Sequence, residues 1–261
     1  MFAEERQERI ATLIADAGRC TVADLTATLG VTAETVRRDL DLLESMGKLR
    51  RVHGGAVSVD ASSMSEPSLG ERQAQHMGEK SRIARAALAY IPRGGNASVL
   101  LDAGTTTEGL ASLLAQGPSA QAHELLVITN AVPIAGTLAA NPELEVDLLG
   151  GHVRGLTQAT VGAAAEAQLE ALRPDVAFIG TNGLSAAFGL STPDAQEARI
   201  KTAMVRAARR VILLADSSKL SQETLVRFAE LKEIDVLITD KEPAPTLAAA
   251  LAEAEVEVVF A

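Results

Sequence analysis

The 261-residue chain has no tryptophan, one tyrosine and five phenylalanines, so aromatics make up only 2% of it. Proteins that grip single-stranded nucleic acid stack bases on aromatic side chains, and that mode is not expected here. The single Cys20 permits neither an intrachain disulfide nor a thiolate metal cluster; it reads as a small buried filler between two helices. No uninterrupted apolar run approaches the roughly 18 residues of a membrane span. The first residues, Met1-Phe-Ala-Glu-Glu-Arg6, are charged and lack the apolar stretch of a secretory signal. A cytoplasmic protein without a membrane partner is expected. His76, His123 and His152 are scattered, with no metal-ligand spacing and no catalytic triad, so no metal, cofactor or catalytic residue is assigned.

Hydrophobic residues make up 47%, enough for a sizeable core, and the length suits one large domain or two ordinary ones. The net charge of −10 argues at first against a nucleic-acid partner. It is unevenly distributed. Residues 1–57 hold 8 Lys/Arg and 9 Asp/Glu, a net of −1, so −9 belongs to the remainder. Within the first segment the bases come late: Arg37, Arg38, Lys48, Arg50 and Arg51. Affinity for DNA depends on the face presented to phosphates, not on the total.

Residues 4–17 carry Ile10, Leu13 and Ile14 at helical spacing. Thr21, with Asp24 three residues on, predicts a capped second helix with Val22, Leu25 and Leu29 inward and Gly30 as its left-handed C-cap. Thr32 caps a third helix with Val36, Leu40 and Leu43 inward, ended by Gly47. Lys48–Val52 reads as a strand, with Gly54-Gly55 turning into Ala56-Val57-Ser58. Three helices and a β-hairpin make a winged helix-turn-helix, whose second motif helix enters the major groove of duplex DNA. Thr32, Thr35 and Arg38 share neighbouring helical positions, and Arg37 is turned from Arg38 by about 100°. One arginine then reads a base edge while the other holds a phosphate. Lys48, Arg50, Arg51 and His53 are the wing contacts.

Residues 58–78 lose periodicity and read as a linker, with some order near its end. A helix is expected over about 79–91. Seven β-rich runs then alternate with helical stretches: Ser98–Leu101, Leu125–Thr129, Val146–Leu149, Val176–Ile179, Val211–Ala215, Val236–Thr239 and Val256–Phe260. That alternation predicts a mostly parallel α/β sheet covered on both faces, residues 79–261. Ligands of such sheets bind at the C-terminal strand ends. Here those ends carry Asp102-Ala-Gly104-Thr105-Thr106-Thr107, Thr129-Asn130, Gly150-Gly151, Gly180-Thr-Asn182-Gly183 and Asp216-Ser-Ser-Lys219. Gly104–Thr107 opens a helix, where free N–H groups favour an anion; the Walker ending is absent. Lys219 suits phosphate neutralisation, Arg154 is a further candidate, and Asp102 suits sugar hydroxyls. Glu197 and Lys201, four apart, fit either a surface salt bridge or a site.

Taken in order, Val31-Thr-Ala-Glu-Thr-Val-Arg-Arg-Asp-Leu40, Leu49-Arg-Arg-Val-His-Gly-Gly-Ala56, Leu101-Asp-Ala-Gly-Thr-Thr106, Thr129-Asn130, Leu149-Gly-Gly151 and Leu214-Ala-Asp-Ser-Ser-Lys219 resemble the DeoR family of bacterial transcriptional regulators over nearly the whole chain. The resemblance implies a sensor domain like ribose-phosphate isomerases and CoA-transferases. It implies a phosphorylated sugar as effector and repression of a carbohydrate operon, relieved by that effector. Double-stranded operator DNA and a second copy of the chain, as dimer or tetramer, are the implied macromolecular partners. The runs Gly189–Glu197 and Glu4–Arg9 are similar to regulators of fructose phosphotransferase operons, implying fructose 1-phosphate or fructose 6-phosphate. A sugar-phosphate isomerase would share the fold and the strand-end lysine; the winged helix speaks against that reading. Whether the protein represses or activates depends on promoter geometry.

Overall fold

The computed structural model describes residues 3–52, 54–58, 66–92, 96–117 and 125–261. The chain divides into two compact units, Met1–Ser65 and Glu66–Ala261. The expected linker, residues 58–78, is thereby shortened, because Glu66 onward belongs to the second unit.

The first unit runs α1 (Ala3–Ala17), β1 (Arg19–Thr21), α2 (Val22–Leu29), α3 (Ala33–Ser45), β2 (Leu49–Val52) and β3 (Gly55–Ser58). Thr21 accepts from the Asp24 N–H and the Asp24 carboxylate receives the Thr21 N–H, closing the expected capping box on α2. Gly30 ends α2 at φ 66, a left-handed conformation glycine adopts without a Cβ clash. Ile10, Ile14, Leu25, Val36, Leu40, Leu43, Leu49 and Ala56 form one buried cluster. Each fully buried Leu or Ile contributes about 1.5–3 kcal/mol. The strand β1 was not legible: three residues are too few to show alternation. It completes an antiparallel sheet of order β1-β3-β2. The fit is close at Gly55, where an added Cβ would stand 2.2 Å from the Cys20 carbonyl oxygen. Cys20 therefore lies half-buried on a strand, not between helices, and burial pushes its thiol pKa up.

Asp39, 4% exposed, anchors α3 to α1. It receives Arg6 Nε at 2.6 Å and Gln7 Nε2 at 2.9 Å. Burial alone would raise its pKa; the bonds from Arg6 and Gln7 bring it below the usual carboxylate range. Its contribution to stability is thus present above the unfolded value, about pH 4, and lost as pH falls through the folded one. Arg6→Ala is expected to remove about 1–3 kcal/mol at pH 7, read as a lower urea midpoint for the first unit. An unchanged midpoint would deny the pair any role.

The second unit is built on a seven-stranded parallel sheet of order β15-β14-β12-β9-β4-β5-β6. Its strands are β4 (Ala97–Leu101), β5 (Leu125–Thr129), β6 (Glu145–Leu148), β9 (Val176–Gly180), β12 (Val211–Leu214), β14 (Val236–Thr239) and β15 (Glu257–Phe260). These coincide with the seven sequence-predicted runs to within a residue or two. One face takes Val99, Leu101, Val127, Phe178, Ile212 and Ile238, under α5 (Met77–Ala87), α6 (Thr105–Gln116) and α7 (Val132–Leu138). The other takes Leu100, Ile128, Ile179, Leu213 and Leu237, under α8 (Ala163–Glu170), α9 (Ala195–Ala207) and α10 (Pro245–Glu253). A short α4 (Leu69–Ala74) precedes α5. Two antiparallel additions complete the unit: a hairpin of β7 (His152–Arg154) and β8 (Ala159–Val161), and a small sheet of β10 (Gly183–Ser185), β11 (Gly189–Thr192) and β13 (Val226–Ala229). From β4 the sheet grows through β5 and β6 on one side and through β9 and β12 on the other. The topological switch point therefore lies between β4 and β9, where open α/β sheets place their ligands.

Candidate nucleic-acid interface and anion cleft

In the first unit α2, the turn at Gly30 and α3 form the helix-turn-helix. Thr32 caps α3, its hydroxyl accepting the Thr35 N–H at 3.3 Å, and the two threonine hydroxyls lie 2.9 Å apart. The exposed basic residues divide in two. Arg37 leans on Glu34 at 3.7 Å, and Arg51 pairs with Asp41 while its N–H bonds Glu44 at 2.6 Å. The side chains of Arg38, Lys48 and Arg50 have no ion pair or hydrogen bond among the described residues. Arg51 is thus less available than the sequence suggested, because β2 returns alongside the second half of α3 and sets it against two carboxylates. His53 lies outside the described residues.

In the second unit a cleft opens at the C-terminal ends of β4, β9 and β12. Gly104, Thr105, Thr106, Asn182, Glu197, Lys201 and Lys219 line it. At its rim α6 begins. The first helical bond runs from the Glu108 N–H to the Gly104 carbonyl, and the N–H groups of Thr105 and Thr106 find no acceptor among the described residues. Thr107 folds inward: its hydroxyl accepts the Gly104 N–H at 2.9 Å and lies 3.0 Å from Asp102 Oδ1. The opposite wall is the Asp216–Lys219 turn. Asp216 accepts the Ser218 N–H at 3.1 Å, and Asp240 holds the Ser217 N–H at 2.7 Å. That scaffold presents Lys219, half-buried and without a counter-ion among the described residues.

The floor departs from the sequence reading. Asp102 is 1% exposed and already supplied with donors: Lys201 Nζ and the Gly180 N–H (2.8 Å) on one oxygen, Thr107 on the other. It ties the ends of β4 and β9 together and is not free to take sugar hydroxyls. Lys201 also donates to the Gly180 carbonyl at 2.9 Å and sits 5.5 Å from the Phe228 ring centre. Glu197 and Lys201 are both buried and do not pair; Glu197 accepts from Thr157 and from Arg154 at 3.1 Å. Arg154 is enclosed by three carboxylates, Glu66 at 2.8 Å, Glu197 at 3.1 Å and Asp194 at 3.4 Å, which screen it from any anion. Thr129 and Asn130 brace backbone, the hydroxyl accepting the Ala131 N–H at 3.0 Å and the amide donating to the Thr160 carbonyl at 3.0 Å. Gly151 is exposed at the base of the β7–β8 hairpin, away from the cleft.

Four lining residues escaped the sequence reading: Pro67, Arg72, Gln75 and Lys80. Lys80 carried a signal. It shares the inward face of α5 with Ile83, Ala84 and Ala87, and a lysine at a core position needs a local reason. The reason is that its Nζ donates to the carbonyls of Arg72 and of Gln75 (2.8 Å), and burial holds its pKa below the usual lysine range. Among the described residues no group of His, Cys, Asp or Glu is placed to hold a metal ion, and no helix is long and apolar enough to cross a membrane.

Comparison with known proteins agrees with this layout. Residues 6–62 match the model of the DeoR-like helix-turn-helix domain, and residues 75–241 that of the DeoR C terminal sensor domain. The transcriptional regulator GlpR of Haloferax volcanii is 40% identical over 240 residues, 92% of this chain and 91% of its own. The glycerol-3-phosphate regulon repressor of Haemophilus influenzae is 31% identical over 239 residues, 91% of this chain and 89% of its own. Among solved structures, ribose 5 phosphate isomerase A from Neisseria gonorrhoeae aligns with 54% of this chain and 52% of its own at 16% identity and a TM-score of 0.38, too distant to argue from. The chain belongs to the DeoR family of helix-turn-helix transcriptional regulators.

Proposed function

We propose that the protein represses a carbohydrate-utilisation operon as a homo-oligomer and is released from its operator by a phosphorylated sugar bound in the cleft between β4 and β9. The observation that supports this reading is the pairing of two demands across the cleft that no described residue meets: the N–H groups of Thr105 and Thr106 at the start of α6, and the ammonium of Lys219. A helix N-terminus and a lysine together suit a phosphate. Thr105, Thr106 and Lys219 hold that phosphate, the Gly104 N–H being taken by Thr107; Asn182 and Glu197 face the sugar, and the Asp102–Lys201 pair keeps the floor rigid. The relative named for a glycerol-3-phosphate regulon supports a phosphorylated effector. Fructose 1-phosphate and fructose 6-phosphate are the first to test.

The effector acts by binding one arrangement of the paired winged helices better than the other; its leverage equals that difference in affinity. Gel-shift release is expected with sugar phosphates and not with the free sugars. In calorimetric titration Lys219→Ala is expected to bind the effective sugar phosphate about tenfold to a hundredfold more weakly, the range of a charge-assisted hydrogen bond. Equal affinities would remove Lys219 from the site, and release by an unphosphorylated sugar would remove the phosphate.

A further inference from the structure

We infer that Arg72 is a ligand of the effector's phosphate, for which it exchanges a loose contact with Glu66. This rests on the anion reading of the cleft and adds to it a residue from the segment preceding α5.

The segment Pro67–Gln75 is fixed at both ends and in the middle. Ser68 and Glu71 close a capping box on α4, Gln73 donates to the Glu108 carboxylate of α6 at 2.9 Å, and Lys80 holds the carbonyls of Arg72 and Gln75. The backbone of Arg72 is therefore clamped where its side chain lines the same cleft as Thr105, Thr106 and Lys219. The guanidinium itself is poorly served. Its NH1 reaches Glu66 only at 3.9 Å, and Nε and NH2 are buried with no hydrogen-bond partner among the described residues. Buried charged donors without acceptors are costly.

The other cations of the cleft are differently placed. Lys201 is neutralised by Asp102, and Lys80 is spent on backbone carbonyls. Lys219 supplies a point charge, and Arg72 is the one planar fork among the lining residues. A phosphate monoester offers three acceptor oxygens in the geometry a guanidinium fork fits bidentately. Glu66 tolerates the exchange, because it keeps Arg154 at 2.8 Å when Arg72 turns away. Burial, with the nearby Glu197 charge, pushes the Glu66 carboxyl pKa up, and its contact with Arg72 is a loose 3.9 Å.

The test titrates the full chain with inorganic phosphate and with fructose 1-phosphate, followed by calorimetry and by phosphorus NMR line width. Arg72→Ala is expected to weaken both ligands about tenfold to a hundredfold, with partial recovery in Arg72→Lys. Glu66→Gln, which leaves Arg72 without its carboxylate, is expected to bind them up to about fivefold more tightly, the size of a loose ion pair. If the unaltered protein binds either ligand and Arg72→Ala binds it within about twofold of that, Arg72 is not a ligand although the cleft reading stands. If the unaltered protein binds neither, both readings fall. Should circular dichroism show Arg72→Ala unfolded, Glu66→Gln decides: tighter binding supports the exchange, and unchanged or weaker binding overturns it.

Discussion

Lys201→Met is expected to destabilise the second unit by about 3–5 kcal/mol, the usual result of stripping one partner from a buried ion pair. Lys201 is 7% exposed and Asp102 is 1% exposed. Without the ammonium, the carboxylate keeps one N–H, from Gly180, and one hydroxyl, from Thr107. Neither replaces a full positive charge beside a carboxylate so nearly closed to water. For a unit of this size each kcal/mol moves the melting temperature by about 2–4 °C, so calorimetry should show a fall of about 6–20 °C. The double variant Asp102→Asn/Lys201→Met is the control, because it removes both charges while the amide still bridges β4 and β9. It is expected to recover more than half of the loss. If the double variant loses as much as the sum of Lys201→Met and Asp102→Asn, the two side chains are not coupled, and the switch point is held by the backbone alone.

That pair also shows where the sequence stopped being readable. The five inner parallel strands were legible because both of their faces are largely buried, whereas the edge strands β6 and β15 are mostly exposed. Val211-Ile-Leu-Leu214 and Val236-Leu-Ile238 are unbroken apolar runs with no polar alternation. The antiparallel additions carry no such mark. β10 is Gly-Leu-Ser and β11 is Gly-Leu-Ser-Thr; they exist as strands because β11 finds β13, 35 or so residues further on, and no local pattern announces that partner. The capped helices of the first unit were legible for the opposite reason. Thr21 with Asp24, and Thr32 with Thr35, are contacts three residues apart, written directly in the chain.

The site divides in the same way. Its address, the C-terminal strand edge, follows from topology, and Gly104–Thr106 and Lys219 line the cleft. The wiring was invisible. Glu197 and Lys201 stand four apart on one helix, which locally favours a mutual pair. Burial of that face instead delivers Glu197 to Arg154 and Thr157, and Lys201 to Asp102, which is 99 residues away in sequence. Arg72 was hidden by its setting in a polar stretch that reads as linker until Lys80 is seen to hold it down.

Arg38→Ala is expected to lower affinity for the specific operator by about 1–3 kcal/mol, roughly tenfold to 150-fold, and to leave random duplex nearly unaffected. Among the arginines of α3 it alone is unencumbered, since Arg37 rests on Glu34. It lies on the exposed side of the helix, six residues beyond the Thr32 cap, where the first turns of a recognition helix face base edges. Lys48 and Arg50, on the hairpin, are equally free but belong to the wing; replacing either should weaken specific and random duplex alike and reduce the salt slope by about one. Arg51→Ala should change binding less than Arg50→Ala, because Asp41 already neutralises Arg51. Fluorescence anisotropy on an operator selected from a random duplex library, at several salt concentrations, separates these outcomes. A loss shared equally by operator and random DNA makes Arg38 a phosphate contact. In that case sequence reading passes to Thr32 and Thr35, whose methyl and hydroxyl groups are the remaining candidates on the same face.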